Sequence, residues 1–187
     1  MANLSSMYLF ADDSKCSKIV ESFDDCDTLQ EELNSIYQWS VNSRLSFNLE
    51  KSSLITFCSK RHSPLVSSYY INGQTIPRKS IIRDLGVIFE SDLSWSKHID
   101  SIVAKSYQSI GLLRRAFPVS TPIKTKKLLF LSLVIPKLTY CSPIWRPNLI
   151  KDITTLERVQ RRATKYILND YSSDYKSRLI SLQILPL

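Results

Sequence analysis

The sequence predicts an α+β fold, with antiparallel hairpins and one helix over residues 1–92 and a mostly helical region over 93–187. Three observations carry that expectation. Runs of strand-forming residues in the first half end in turn residues: Met7-Tyr8-Leu9-Phe10 stops at Asp12-Asp13, and Tyr69-Tyr70-Ile71 at Asn72-Gly73. From Ser94 onward apolar residues recur every three to four positions. With 43% hydrophobic residues and three Gly in 187 positions, the chain has the material for a core and none of the bias of a disordered segment.

Met7–Phe10, the two carboxylates and a second short run from Lys15 to Val20 read as a β-hairpin with Asp12 and Asp13 at its tip. Two carboxylates held on a hairpin suit a hard cation such as Mg²⁺, which takes oxygen ligands, few of them from protein. Paired Asp in a turn has a second explanation, since Asp side chains hydrogen-bond their own backbone there. Asp24-Asp25-Cys26-Asp27-Thr28 then opens a helix, and Thr28-Leu29-Gln30-Glu31 fits a capping box. Leu29, Leu33, Ile36, Tyr37 and Val41 share one helical face to about Ser43. Capping accounts for these acids better than a second metal site does.

A polar loop, Leu45 to Ser52, leads into a strand over Leu54–Phe57, and Lys51 within it reads as a solvated lysine. Lys60 to Ser68 reads as a surface connection. Asn72-Gly73 between β-rich flanks predicts a type I′ hairpin with Pro77 at its exit. Ile81 to Phe89 reads as an apolar strand whose Gly86 marks a bulge or a close backbone approach.

Ser94 or Ser96 caps a helix with Ile99, Val103, Tyr107, Ile110 and Phe117 on its inner side. Thr121-Pro122 starts another, which runs to Pro136, and a proline-punctuated connection carries Tyr140 and Trp145. The last long helix spans about Asp152 to Asn169. Its Arg158, Arg161, Arg162 and Lys165 stand at i, i+3, i+4 and i+7, opposite Ile153, Leu156, Val159, Ala163 and Ile167. Such a stripe suits a phosphate backbone, or is a solvated face that keeps the protein in solution.

Charge is unevenly placed. Residues 1–60 hold nine acids and five bases, while 61–187 hold eight acids and twenty bases. Between Lys105 and Leu168 thirteen bases face two acids, so an anionic partner is expected. Cys16, Cys26, Cys58 and Cys141 are widely spaced, and with only His62 and His98 beside them a zinc site is not expected. Free thiols suit a reducing, intracellular compartment, cytoplasmic or nuclear. Met1 to Phe10 lacks a secretory pattern, and the apolar run Leu128–Ile135 is too short to span a bilayer, so no membrane association is expected.

Taken in order, these elements resemble the reverse transcriptase of a non-LTR (LINE-like, jockey-type) retrotransposon, from mid-palm through thumb. Leu9-Phe10-Ala11-Asp12-Asp13-Ser14-Lys15 resembles that family's catalytic hairpin, and Phe47-Asn48-Leu49-Glu50-Lys51-Ser52 its next motif. Arg83-Asp84-Leu85-Gly86-Val87 is similar to the Leu-Gly-Val strand at the primer grip. Trp95-Ser96-Lys97-His98-Ile99 is family-like, as is the stretch from Ser132-Leu133-Val134-Ile135-Pro136 through Pro143-Ile144-Trp145-Arg146-Pro147 to Leu156–Lys165. The resemblance implies a partial polymerase palm over 1–92 and a thumb-like helical region over 93–187. It implies catalytic roles for Asp12, Asp13 and Lys51, with Asp12 and Asp13 as Mg²⁺ ligands and Lys51 near the phosphates of an incoming dNTP. Leu85 and Gly86 would place the primer end, and Arg158, Arg161, Arg162 and Lys165 would hold an RNA template and DNA primer.

The family supplies a further metal-binding aspartate from a strand upstream of the hairpin. Asp24, Asp25, Asp84, Asp92 and Asp100 have neither spacing nor context to replace it, and Ile184-Leu185-Pro186-Leu187 resembles a segment that ordinarily continues. The expectation is a polymerase fragment inactive by itself. The alternatives are a non-catalytic, basic nucleic-acid-binding module derived from such an element, and a decayed reading frame.

Overall fold

The structure is a computed structural model and describes residues 6–58 and 64–187. The fold is α+β: three two-stranded hairpins and seven helices among the described residues, divided between two compact units. The first comprises the described residues of Met1–Ile82 with Glu90–Leu93; the second comprises Arg83–Phe89 with Ser94–Leu187.

In the first unit β1 (Ser6–Phe10) pairs antiparallel with β2 (Asp13–Ser17), Phe10 opposite Asp13 and Ser6 opposite Ser17. Helix α1 (Phe23–Asn42) is capped six residues before the cap of the expected box. Ser22 is its N-cap: the Asp25 N–H donates to Ser22 Oγ at 3.3 Å, and Asp25 Oδ2 accepts from the Ser22 N–H at 3.0 Å. Those bonds, with the Glu21 N–H foremost, hold the Asp25 carboxyl below its ordinary pKa. The Thr28 hydroxyl instead donates to Asp24 O inside the helix, so Thr28 caps nothing. Of the expected inner face Leu29 is buried, while Val41 is exposed.

Leu29, Cys26 and Tyr69 form this unit's small core, with Leu33, Leu54 and Ile76 packed around it. The hairpin of β3 (Tyr70–Ile71) and β4 (Gln74–Thr75) turns at Asn72 (φ +52) and Gly73 (φ +72), the type I′ geometry that Asn-Gly predicts. Gln30 of α1 pairs with its edge as another strand would: its Nε2 donates to Tyr70 O and its Oε1 accepts from the Tyr70 N–H, both at 2.8 Å. The expected strand over Leu54–Phe57 reduces to one parallel bridge, Leu54 to Arg78. Its residues are β-prone, but among the described residues no strand forms a ladder with them. The expected connection from Lys60 lies partly outside the described residues, at 60–63.

Ile81–Phe89 is two strands, β5 (Ile81–Asp84) and β6 (Val87–Glu90), joined by a two-residue turn at Leu85 (φ +45) and Gly86 (φ +89). Gly86 is therefore a turn residue, not a bulge.

The second unit is helical. Helix α2 (Ser96–Ala116) has Trp95 as its N-cap without a side-chain cap bond, and Ser96 is its first residue, not its cap. Helix α3 (Ile123–Leu133) stops at Val134, and Pro136 falls in the first turn of a new helix, α4 (Ile135–Thr139). Proline lacks an N–H that a first turn leaves unbonded in any case, so it begins this helix instead of ending the last one. A short α5 (Ser142–Trp145) precedes α6 (Ile150–Leu168), which ends on Asn169 in the left-handed conformation (φ +54). The sequence did not announce α7 (Tyr175–Leu182), capped by Asp174, whose Oδ1 accepts from the Ser177 N–H at 2.9 Å. The core joins Val87 to Ile99, Ile110, Phe130, Val134, Trp145, Val159 and Ile167. Among the described residues nineteen apolar residues of the two units are buried, and each large aliphatic or aromatic one contributes roughly 1.5–3 kcal/mol against exposure.

Candidate nucleic-acid interface and acidic hairpin

The register of β1 and β2 leaves Ala11 and Asp12 as the two turn residues; Asp13 is the first residue of β2. The sequence placed both aspartates at the tip, and the structure puts one in the turn and the other in its closing pair. Ala11 sits at φ +51, where its Cβ crowds the following carbonyl and costs about 1–2 kcal/mol. Ala11, Asp12 and Asp13 are exposed, as is every residue of β1, including Leu9 at 69% and Phe10 at 63%.

Mg²⁺ takes one or two carboxylates and completes its shell with water and substrate phosphate oxygens. Two adjacent, exposed carboxylates at a tight turn fit that donor set. No group of three His, Cys, Asp or Glu side chains gathers at one point among the described residues.

Asn48 builds the loop that carries Lys51. Its backbone carbonyl accepts from the N–H groups of Lys51 (3.2 Å) and Ser52 (3.1 Å), and its Oδ1 also accepts from the Lys51 N–H at 3.2 Å. The Ser52 hydroxyl donates to the same carbonyl at 3.0 Å. Asn, Lys and Ser at this spacing are thus one turn wound on Asn48, with the lysine presented to solvent. Among the described residues no hydrogen bond or ion pair joins Lys51 to Asp12 or Asp13.

The Leu85–Gly86 turn is tied into the helical unit at several points. The Tyr140 hydroxyl donates to Leu85 O at 3.0 Å, and a Cβ on Gly86 would stand 3.4 Å from Tyr140 Cε1. Trp145 Nε1 donates to Tyr140 O at 2.7 Å. The Trp145 ring meets the His98 imidazole edge-on, with centroids 5.1 Å apart. His98 Nδ1 accepts from the Ile88 N–H at 3.2 Å, which closes the circuit on β6 and assigns the ring proton to Nε2. His98 is 2% exposed, and its Nε2 is buried without a hydrogen-bond partner. Burial first, then the Lys105 and Arg83 charges, push its pKa below the ordinary 6.5. In the sequence His98 bears on the zinc argument and falls in the family-like stretch Trp95–Ile99, with no role of its own assigned. The one available signal was a histidine adjoining Ile99 on an apolar helix face.

On α6, Arg158, Arg161 and Arg162 are exposed and Lys165 is half-buried, while Leu156, Val159, Ala163 and Ile167 are buried. Ile153, expected inside, is 42% exposed. Tyrosines hold two of the bases: the Arg161 guanidinium lies 4.7 Å from the Tyr175 ring centroid, and that of Arg162 lies 5.3 Å from Tyr107. Burial, then hydrogen bonding to Glu157, raises the Tyr175 pKa. The helix is anchored from below, where Tyr166 donates its hydroxyl to Phe117 O (2.9 Å) and Leu113 O (3.0 Å) at the end of α2.

The chain is 25% identical, over 176 residues, to "Probable RNA-directed DNA polymerase from transposon X-element" of Drosophila melanogaster, an alignment covering 87% of this chain and 18% of that protein. It is 35% identical over 75 residues to "RNA-directed DNA polymerase from mobile element jockey" of the same organism, covering 40% of this chain and 8% of the relative. This chain therefore spans less than a fifth of the length of these curated relatives. No family model matches it, and no solved structure does. The resemblance carried by the motifs is thus matched by similarity, at modest identity, to named retroelement polymerases. No helix among the described residues is long and apolar enough to cross a membrane.

Proposed function

We propose that this chain is part of a retroelement RNA-directed DNA polymerase, its first unit carrying palm elements and its second a thumb-like, nucleic-acid-binding surface. The observation that supports this best is a pair of adjacent carboxylates at a two-residue hairpin turn, in a chain 87% of which aligns with a probable polymerase of that kind.

In the longer enzyme, Asp12 and Asp13 offer carboxylate oxygens to Mg²⁺. When bound, the metal supplies charge stabilisation for the attacking 3′-oxygen and the departing pyrophosphate. Lys51, held outward by the Asn48 turn, meets the triphosphate of the dNTP and gives a proton to pyrophosphate as the α-phosphorus–oxygen bond breaks. A positioned proton donor is worth about 10²–10⁴-fold, so Lys51→Ala slows turnover without abolishing it. Leu85 and Gly86 place the primer end. Arg158, Arg161, Arg162 and Lys165 hold the template–primer duplex through its phosphates, without reading sequence.

On this proposal the chain alone does not polymerise, since Asp24, Asp25, Asp84, Asp92 and Asp100 have neither spacing nor context to serve as a further metal-binding aspartate. Mg²⁺-dependent primer extension with the purified chain tests this. No product is expected; template-copied product abolished by Asp12→Ala overturns it.

A second reading, a basic nucleic-acid-binding module without chemistry, draws on the exposed stripe of α6 and its tyrosine-seated guanidinium groups. Both readings predict salt-sensitive binding of nucleic acid. Changing Arg158, Arg161, Arg162 and Lys165 together to Ser should weaken duplex binding and reduce the slope of log affinity against log salt by about 3.6. Fluorescence anisotropy over a salt series measures both, and an unchanged slope removes the stripe from the interface. Asp12→Ala leaves this binding intact under either reading.

A further inference from the structure

We infer that Tyr140, Trp145 and His98 are positioning residues that fix the Leu85–Gly86 turn for contact with a nucleic-acid strand end, an inference that rests on the polymerase reading of that turn. Two separate bonds reach the hairpin from the helices: the Tyr140 hydroxyl to Leu85 O, on one side of the turn, and the Ile88 N–H to His98 Nδ1, on the other. Trp145 links their donors and acceptors into one circuit, through its indole N–H on Tyr140 O and its ring against His98. The circuit is specific in its chemistry. An imidazole buried to 2% exposure, with one nitrogen left unpartnered, is costly to keep unless the other nitrogen does work that an apolar side chain cannot.

The turn needs such support. Leu85 holds φ +45, a conformation a branched side chain adopts only when its surroundings enforce it, and its side chain is 44% exposed. A strand end placed against Leu85 and Gly86 meets a defined surface only while both flanks of the turn are held.

Three sequence stretches that looked independent are therefore one device. Arg83–Val87 supplies the turn, Trp95–Ile99 supplies the imidazole, and the proline-punctuated connection supplies Tyr140 and Trp145.

The test uses the whole chain with two labelled probes of the same sequence, a primer–template with a recessed 3′ end and a blunt duplex. Binding is measured beside amide hydrogen exchange over residues 84–90. Tyr140→Phe removes only the hydroxyl, and His98→Leu removes the acceptor together with the ring edge against Trp145 while keeping the site filled. Each should raise exchange at Ile88 and its neighbours and weaken binding of the recessed probe about three- to ten-fold, with blunt-duplex affinity unchanged. His98→Asn should restore most of both, because its Oδ1 accepts where Nδ1 did. A purely space-filling role would leave His98→Leu closer to wild type than His98→Asn, and that order overturns the inference. A recessed-end preference that survives both Tyr140→Phe and His98→Leu also overturns it. Equal affinity of the wild type for the two probes instead overturns the strand-end reading of the turn itself.

Discussion

Near neutral pH, His98 is the group of the helical unit from which a pH dependence of stability is expected. Its pKa is lowered by burial, so the unfolded chain takes up the proton first, near pH 6.5. The stability it contributes is whole above pH 6.5 and declines as pH falls below that value towards the folded pKa. The aspartates with lowered pKa values, Asp25, Asp170 and Asp174, begin to matter only below about pH 4. Urea midpoints should therefore fall between pH 7 and pH 5 in the wild type and stay level over that range in His98→Leu. Gly86 gives a second prediction at this scale. At φ +89 any side chain is strained, and the added Cβ of Gly86→Ala meets the Tyr140 ring at 3.4 Å. The expected cost is about 1–2 kcal/mol, read from urea unfolding followed by tryptophan fluorescence.

Among the elements, those specified by neighbours in sequence were the legible ones. Asn72-Gly73 fixes its hairpin by turn chemistry alone, and α6 announces itself by a clean apolar stripe. Even there the cap of α1 was misplaced, since Thr28-x-x-Glu31 and Ser22-x-x-Asp25 both fit the pattern and only geometry decides. Ser22→Ala should cost about 1 kcal/mol of α1 stability and Thr28→Ala much less, as thermal melts by circular dichroism would show. Elements with charges in the core were harder to read. Arg178, 4% exposed, donates to Thr164 Oγ1 at 3.3 Å and to Ser173 O, and it breaks the apolar rhythm that would have marked α7. Lys126, 2% exposed with its Nζ 5.4 Å from the Tyr166 ring centroid, is a like exception in α3, where Thr121-Pro122 marks the helix all the same. For the candidate site, Asp12 and Asp13 are legible as candidates from the hairpin pattern, and Lys51 only through the motif resemblance. The Tyr140–Trp145–His98 circuit is not, because its members lie up to 55 positions from their partners and only folding brings them together.

Across the whole molecule, β1 stands out as apolar on both faces yet exposed throughout, with Tyr8 at 58% and Leu9 at 69%. A strand apolar on both faces is built to be covered on both. Among the described residues only β2 pairs with it, and such an open edge with bare faces should make the chain self-associate, so Leu9→Lys should shift sedimentation back towards the monomer across a concentration series. The path between the two units has a different outcome. Arg83–Phe89 clusters with the helices, and Glu90–Leu93 then returns to the first unit before Ser94 leaves it for good. No single scissile bond separates the halves. A truncation that begins at Ser94 discards Val87, which is 2% exposed and part of the helical core, so the remaining helices keep a hole where a wedge had been. Anyone dissecting this polypeptide, or grafting its helices onto another scaffold, would do better to keep the loop from Arg83 as a passenger and give up a tidy border.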